Sequence, residues 1–187
     1  MTPMVALACA LLSRPFPIQA DDLPVLGWLR DRDRLDEEGL RTVLHLAPPN
    51  SRRRLGRLGR LKNAPLPQDA EAVIAQVGLR PAEAKVFRLL RGHDVLLASA
   101  STVRLAARFR GTRSHEQNPL TDGRIDLARL VGTDDAAPLR MAAVRHLSMT
   151  TCGPEASGCR TCPLQSVGCV YARQLEERLE RDAARDP

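Results

Sequence analysis

The stretch CGPEASGCRTCPLQSVGC, residues 152–169, holds four of the five cysteines of this 187-residue chain. Cys152, Cys159, Cys162 and Cys169 are spaced C-x6-C-x2-C-x6-C, with Gly153, Pro154, Gly158, Pro163 and Gly168 between them. Glycine and proline at that density break a continuous helix or strand and describe a loop folded around something. Four thiolates gathered in one loop suit a metal centre, and four cysteine ligands satisfy either a [4Fe–4S] cluster or a tetrahedral zinc ion. Structural zinc sites usually pair two short hooks. Here one hook, Cys159 and Cys162, is flanked by single cysteines six residues away, which favours iron–sulfur and leaves zinc as the alternative.

Composition sets the scaffold around that loop. Ala, Leu, Arg and Glu dominate, aromatic residues make up only 3%, and β-branched residues are few, so the expected fold class is all-α. The formal net charge is +6, and the pI near 9.6 points to a polyanionic partner. Lysine occurs only at Lys62 and Lys85, so the positive charge is arginine, which suits bidentate phosphate contacts. A genomic bias towards arginine accounts for the same composition without any partner. No segment approaches the roughly twenty apolar residues of a membrane span, and the apolar opening from Val5 to Leu12 lacks a basic flank. The expectation is a cytoplasmic protein, nucleoid-associated if bacterial, with no membrane partner. In that compartment clustered cysteines hold metal rather than disulfides, and Cys9 reads as a small buried hydrophobe.

Upstream of the loop, helices are expected over 4–13, 23–29 and 37–46, the first closed by Arg14-Pro15-Phe16-Pro17. Asn50 or Ser51 is placed to cap a helix carrying Arg52, Arg53, Arg54, Arg57, Arg60 and Lys62, with Leu55, Leu58 and Leu61 on its apolar side. Gly56 and Gly59 weaken it. That basic face is either a nucleic-acid contact or a solvated helix surface. Asp69 caps the next helix, Gly78 supplies a turn, and Pro81 opens a second helix to about Leu90: a helix–hairpin–helix unit over 69–91. A helix from Ser99 to Phe109, a polar loop from Arg110 to Gly123, a core helix from Ala137 to Met149 and a charged helix from Ala172 to Ala184 complete the reading, with Arg178 and Arg181 pairing nearby glutamates.

The segment His146-Leu147-Ser148-Met149-Thr150-Thr151-Cys152, with Cys162-Pro163-Leu164-Gln165 and Cys169-Val170-Tyr171-Ala172, resembles the C-terminal iron–sulfur loop of endonuclease III and the adenine glycosylases. That family spaces its ligands C-x6-C-x2-C-x5-C, so two intervals match and the third is one residue longer. The likeness extends upstream from Leu66 through Val86, over the family's hairpin, and to Leu11-Leu12-Ser13 at the start of its first core helix. The resemblance implies a two-lobed helix–hairpin–helix glycosylase-like fold with a C-terminal four-cysteine loop. One lobe would span 20–110, and the other would join 1–19 to 111–187.

The departures bear on function. The family's hairpin reads approximately L-P-G-V-G-R-K-T-A, and this chain has Gln76-Val77-Gly78-Leu79-Arg80-Pro81-Ala82-Glu83-Ala84. Ala82 stands at the lysine that attacks the sugar in bifunctional members, and Ala100, in Ser99-Ala100-Ser101-Thr102-Val103, at the catalytic aspartate. Alanine is neither a nucleophile nor a general base. The expectation is therefore a monomeric iron–sulfur protein that binds duplex DNA without base-excision catalysis, through Arg52, Arg53, Arg57, Gly78, Arg80, Arg160 and Arg173, with the cluster on Cys152, Cys159, Cys162 and Cys169. One alternative is an active glycosylase or lyase using the displaced residues Lys85 or Asp94. Another is a redox-sensing regulatory module.

Overall fold

The computed structural model describes residues 1–13, 18–61, 63–155 and 158–185, so the expected Arg14–Pro17 break and the contribution of Lys62 to the basic face lie outside the described residues. Every regular element among the described residues is helical, as the composition leads one to expect. None of their helices is long and apolar enough to cross a membrane. The chain divides into two compact units, Met1–Val95 and Leu96–Pro187, a boundary placed differently from the lobes the family resemblance implies.

The first unit is built on α1 (Pro3–Leu12), whose Thr2 cap accepts the Val5 N–H at 3.4 Å. Met4, Leu7 and Leu11 are fully buried, and Ala6, Ala8 and Ala10 between them let neighbouring helices approach. It packs on α2 (Leu23–Leu29), α4 (Pro49–Leu55) and α6 (Pro81–Leu90). Cys9 is buried as expected, and burial, helped by the Asp22 carboxylate, pushes its thiol up to about 11, which keeps it protonated and inert. α3 (Glu37–Leu46) starts at Asp36, whose side chain accepts the Gly39 N–H at 2.7 Å.

The basic segment differs from its sequence reading at its start. Pro49, not Asn50 or Ser51, opens α4, with Pro48 as the cap residue, because proline at the first helical position sacrifices no hydrogen bond. Ser51 is instead buried and donates to Asp22 Oδ1 at 3.2 Å. The α-helix ends at Leu55 and tightens into a 3-10 helix over Gly56–Leu61. Gly59 also has a packing role, since a Cβ there would lie 2.8 Å from Leu40 Cδ2. Leu55, Leu58 and Leu61 are buried on the apolar side, as their spacing predicts.

The second unit centres on α7 (Ala100–Arg110), which packs on α8 (Ser114–Gln117), α9 (Asp122–Val131), α10 (Ala137–Thr150) and α12 (Val170–Ala183); α11 (Pro163–Ser166) lies within the cysteine loop. The expected loop from Arg110 to Gly123 is a correction: it contains α8 and leads into α9. Its polarity misleads because the polar groups satisfy one another inside the fold. Asp126 is buried and accepts from Thr112 Oγ1 at 2.6 Å, Ser114 Oγ at 2.7 Å and Arg110 Nε at 2.9 Å. Along α12, Arg181 Nε donates to the Glu177 main-chain oxygen at 2.9 Å rather than to a carboxylate.

Asp126 supplies a pH test. Burial alone raises its pKa, but the hydrogen bonds from Thr112 and Ser114, with the charge and hydrogen bond of Arg110, outweigh it and hold the carboxyl below its ordinary 3.8. A depressed folded-state pKa contributes stability that is present above the unfolded value and lost as pH falls through the folded one. Asp126→Asn is expected to be less stable than the parent at neutral pH. It should also lose less stability on acidification below about pH 4, as read by urea titrations at a series of pH values.

Candidate metal centre

The cysteine site is assembled from three elements of the second unit. α10 delivers the chain to Cys152, whose N–H donates to the Leu147 carbonyl at 2.8 Å, so the helix end turns the backbone directly into the loop. Cys159 opens a 3-10 turn through Thr161, and Cys162 precedes Pro163, the first residue of α11. Cys169 is the cap residue of α12. None of the cysteines is in a disulfide.

All four loop cysteines line one small pocket with Leu105, Arg108, Leu164, Tyr171 and Ala172. Among the described residues no three His, Cys, Asp or Glu side chains are gathered tightly enough to be read as a ligand set for one metal ion. What fits a thiolate-ligated centre is the donor set itself, four unbridged thiols on one mostly apolar pocket, and the groups around it. Burial, and then the neighbouring Cys152, raises the Cys159 thiol above its ordinary value. Burial also raises Cys169, against the pull of the Ala172 and Tyr171 N–H groups at the start of α12. Protonated thiols must release their protons to bind metal, so loading is favoured as pH rises.

Two arginines on α7 hold the first ligand segment. Arg104 donates to the Cys152 carbonyl through Nε at 3.3 Å and Nη2 at 2.8 Å. Arg108, one turn on, donates to the carbonyls of Gly153 at 2.6 Å and Pro154 at 2.5 Å, and its Nη1 lies 3.7 Å from Cys152 Sγ. Its guanidinium is also 4.6 Å from the centre of the Tyr171 ring. In the sequence these two are simply arginines within the helix expected from Ser99 to Phe109. The available signal was their spacing: positions 104 and 108 share a face of a helix whose residues 105–107 are apolar, so that face needs a polar partner elsewhere in the chain.

The hairpin lies in the first unit. α5 (Ala70–Val77) is capped by Asp69, which accepts the Ala72 N–H at 2.9 Å, and ends at Gly78 in the left-handed region, φ 68°. The turn geometry predicted from sequence is present, but its amides are occupied. Gly78 N–H donates to Ala75 O at 3.2 Å, Leu79 N–H to Ile74 O at 2.9 Å, and Arg80 N–H to Glu83 Oε2 at 2.7 Å; Pro81 has none. Arg57 donates to the same Glu83 oxygen at 2.8 Å and to the Gly78 carbonyl, while Arg60 donates to the Val77 carbonyl at 2.9 Å. The structure therefore brings Arg57 and Gly78 together as partners in closing the turn, with Glu83, which sequence reasoning missed, in the position of an internal anion.

The other expected contacts lie apart along the chain. Arg53, Arg80, Arg160 and Arg173 are exposed, and Arg52, also exposed, donates to the Ala47 carbonyl at 3.1 Å. Ala82 lies in the first turn of α6, half-buried, and Lys85 is exposed one turn on. Asp94 is exposed in the segment after α6, and Ala100 is the exposed first residue of α7. No family model, curated protein or solved structure matches this chain.

Proposed function

We propose that this chain is an iron–sulfur DNA-binding protein resembling endonuclease III, without base-excision catalysis. The carrying observation is the one pocket lined by Cys152, Cys159, Cys162 and Cys169, with the buried residue Arg108 on its wall. These four residues would hold a [4Fe–4S] cluster, which supplies a cross-link between the end of α10 and the start of α12. Zinc in the same ligands would give the same cross-link. Duplex DNA is supported by the net charge of +6 and by the exposed Arg53, Arg80, Arg160 and Arg173. Because the amides of residues 78–80 are engaged within the hairpin, phosphates are met by guanidinium groups rather than by backbone N–H. Ala82 and Ala100 supply no nucleophile or base at the positions where the family resemblance puts them.

Binding of that kind is electrostatic and weakly dependent on sequence. Titrating affinity for a duplex against salt is expected to give a log–log slope of about −4 if four arginines each neutralise one phosphate. Arg53→Gln, Arg160→Gln and Arg173→Gln should each reduce that slope by about 1. A flat salt dependence would sink the DNA reading. A borohydride-trapped adduct with abasic DNA that disappears in Lys85→Ala would overturn the non-catalytic part of it.

A further inference from the structure

We infer that Arg108 is the charge partner of the cysteine centre, a positioning residue that sets the potential and the durability of a cluster bound there; this rests on the iron–sulfur reading above. Arg108 is 8% exposed on the central helix of its unit. A buried guanidinium is costly unless an opposite charge or a full set of hydrogen bonds compensates it. None of the ion pairs found among the described residues involves Arg108. Glu116 feels its charge only at longer range. Its close partners are two neutral carbonyls, the face of the Tyr171 ring and the Cys152 sulfur. The residue also lies near the opposite end of the ligand set, since its main-chain oxygen is 3.8 Å from Cys169 Sγ.

Four thiolates around a cluster make an anionic centre, and among the described residues that line this pocket the buried cation is Arg108. Its charge favours the more reduced state of any one-electron couple there and so raises the reduction potential; charge and hydrogen bonds to ligand sulfur are among the levers that set it. Arg104 gives the contrast. It bonds the Cys152 carbonyl and no sulfur, so it holds the loop without the same approach to the ligand atom.

The experiment compares the full chain with Arg108→Gln, Arg108→Lys and Arg104→Gln, all prepared without oxygen. It measures iron and acid-labile sulfide, the cluster midpoint potential, and the rate of bleaching in air with a chelator. Arg108→Gln is expected to shift the potential to more negative values and to lose iron about tenfold faster. Arg108→Lys, which keeps the charge and loses the fork to the two carbonyls, should return the potential towards that of the parent. Arg104→Gln should leave it nearly unchanged. An unchanged potential in Arg108→Gln, or an equal shift in Arg104→Gln, overturns the inference. So does failure of both Arg108 variants to load, which would leave Arg108 a purely structural role. If Arg108→Gln alone fails to load, the charge role stands. A parent protein carrying no iron and no sulfide instead refutes the iron–sulfur reading itself.

Discussion

Cys152→Ser is expected to abolish the proposed metal centre and to release the C-terminal segment from the second unit. Little apolar burial holds the described part of that segment. The 3-10 turn at Cys159–Thr161 and α11 contain no buried residue, and in α12 only Ala172 is buried. A loop with so little apolar burial cannot offset its own conformational entropy. On the metal-centre reading proposed above, ligation would supply the missing free energy, about 10 kcal/mol or more on the scale of structural zinc sites. Cys152 is the ligand to change because it alone of the four is buried and sits at the end of α10 beside both α7 arginines. Metal content should fall at least tenfold, and limited proteolysis should cut the variant between Cys152 and the end of α12 while α7, α9 and α10 persist. Stripping the parent with a chelator should give the same fragments. Cys9→Ser should keep its metal, because Cys9 lies in the core of the other unit. Full metal content in Cys152→Ser would remove that residue from the ligand set.

Glu83→Ala carries the second large effect, in the first unit and independent of metal. Glu83 is buried and accepts two hydrogen bonds on one oxygen, from Arg57 at 2.8 Å and from the Arg80 N–H at 2.7 Å. Its loss leaves Arg57, whose side chain is only 18% exposed, without its counter-ion, and the first turn of α6 without its cap. Removing one member of a buried charged pair costs roughly 3 kcal/mol or more, because the partner stays desolvated. The urea midpoint of Glu83→Ala should fall accordingly. Arg57→Ala should cost less, and the double variant should cost less than the sum, since both remove the same interaction. Strict additivity would show that the two side chains do not act as a unit. The same network explains why this hairpin differs from a phosphate-binding one. The amide next to Pro81 that would meet an anion is already donated to a carboxylate of the chain itself.

Helix content and helix boundaries were legible because they depend on local chemistry. Asp69 caps as expected, where its side-chain oxygen reaches an amide three residues on. Gly78 turns where only glycine takes a left-handed conformation without penalty. The candidate ligands were legible for a related reason: four thiols within eighteen residues announce themselves by spacing alone. α9 and the start of α4 were not. The former hides a buried carboxylate whose partners, Thr112 and Ser114, are 14 and 12 residues away. The latter turns on whether Ser51 caps its own helix or bonds Asp22, 29 residues earlier.

What the amino-acid sequence determined by itself is an all-helical, arginine-rich chain with one four-cysteine loop and one glycine-turned hairpin, since each follows from residues near one another in the chain. Which charges are available and which are engaged was decided only by the tertiary structure. Arg57 and Arg60 looked like a solvent-facing basic stripe and instead close the hairpin through carbonyls 21 and 17 residues away. Arg108, in the sequence one more arginine of a basic chain, is buried against a cysteine 44 residues on. A guanidinium reads the same in sequence whether it faces water, a carbonyl or a thiol. Its environment is set by partners that only folding brings within hydrogen-bonding distance, and that environment determines whether it can bind DNA or must hold the protein together.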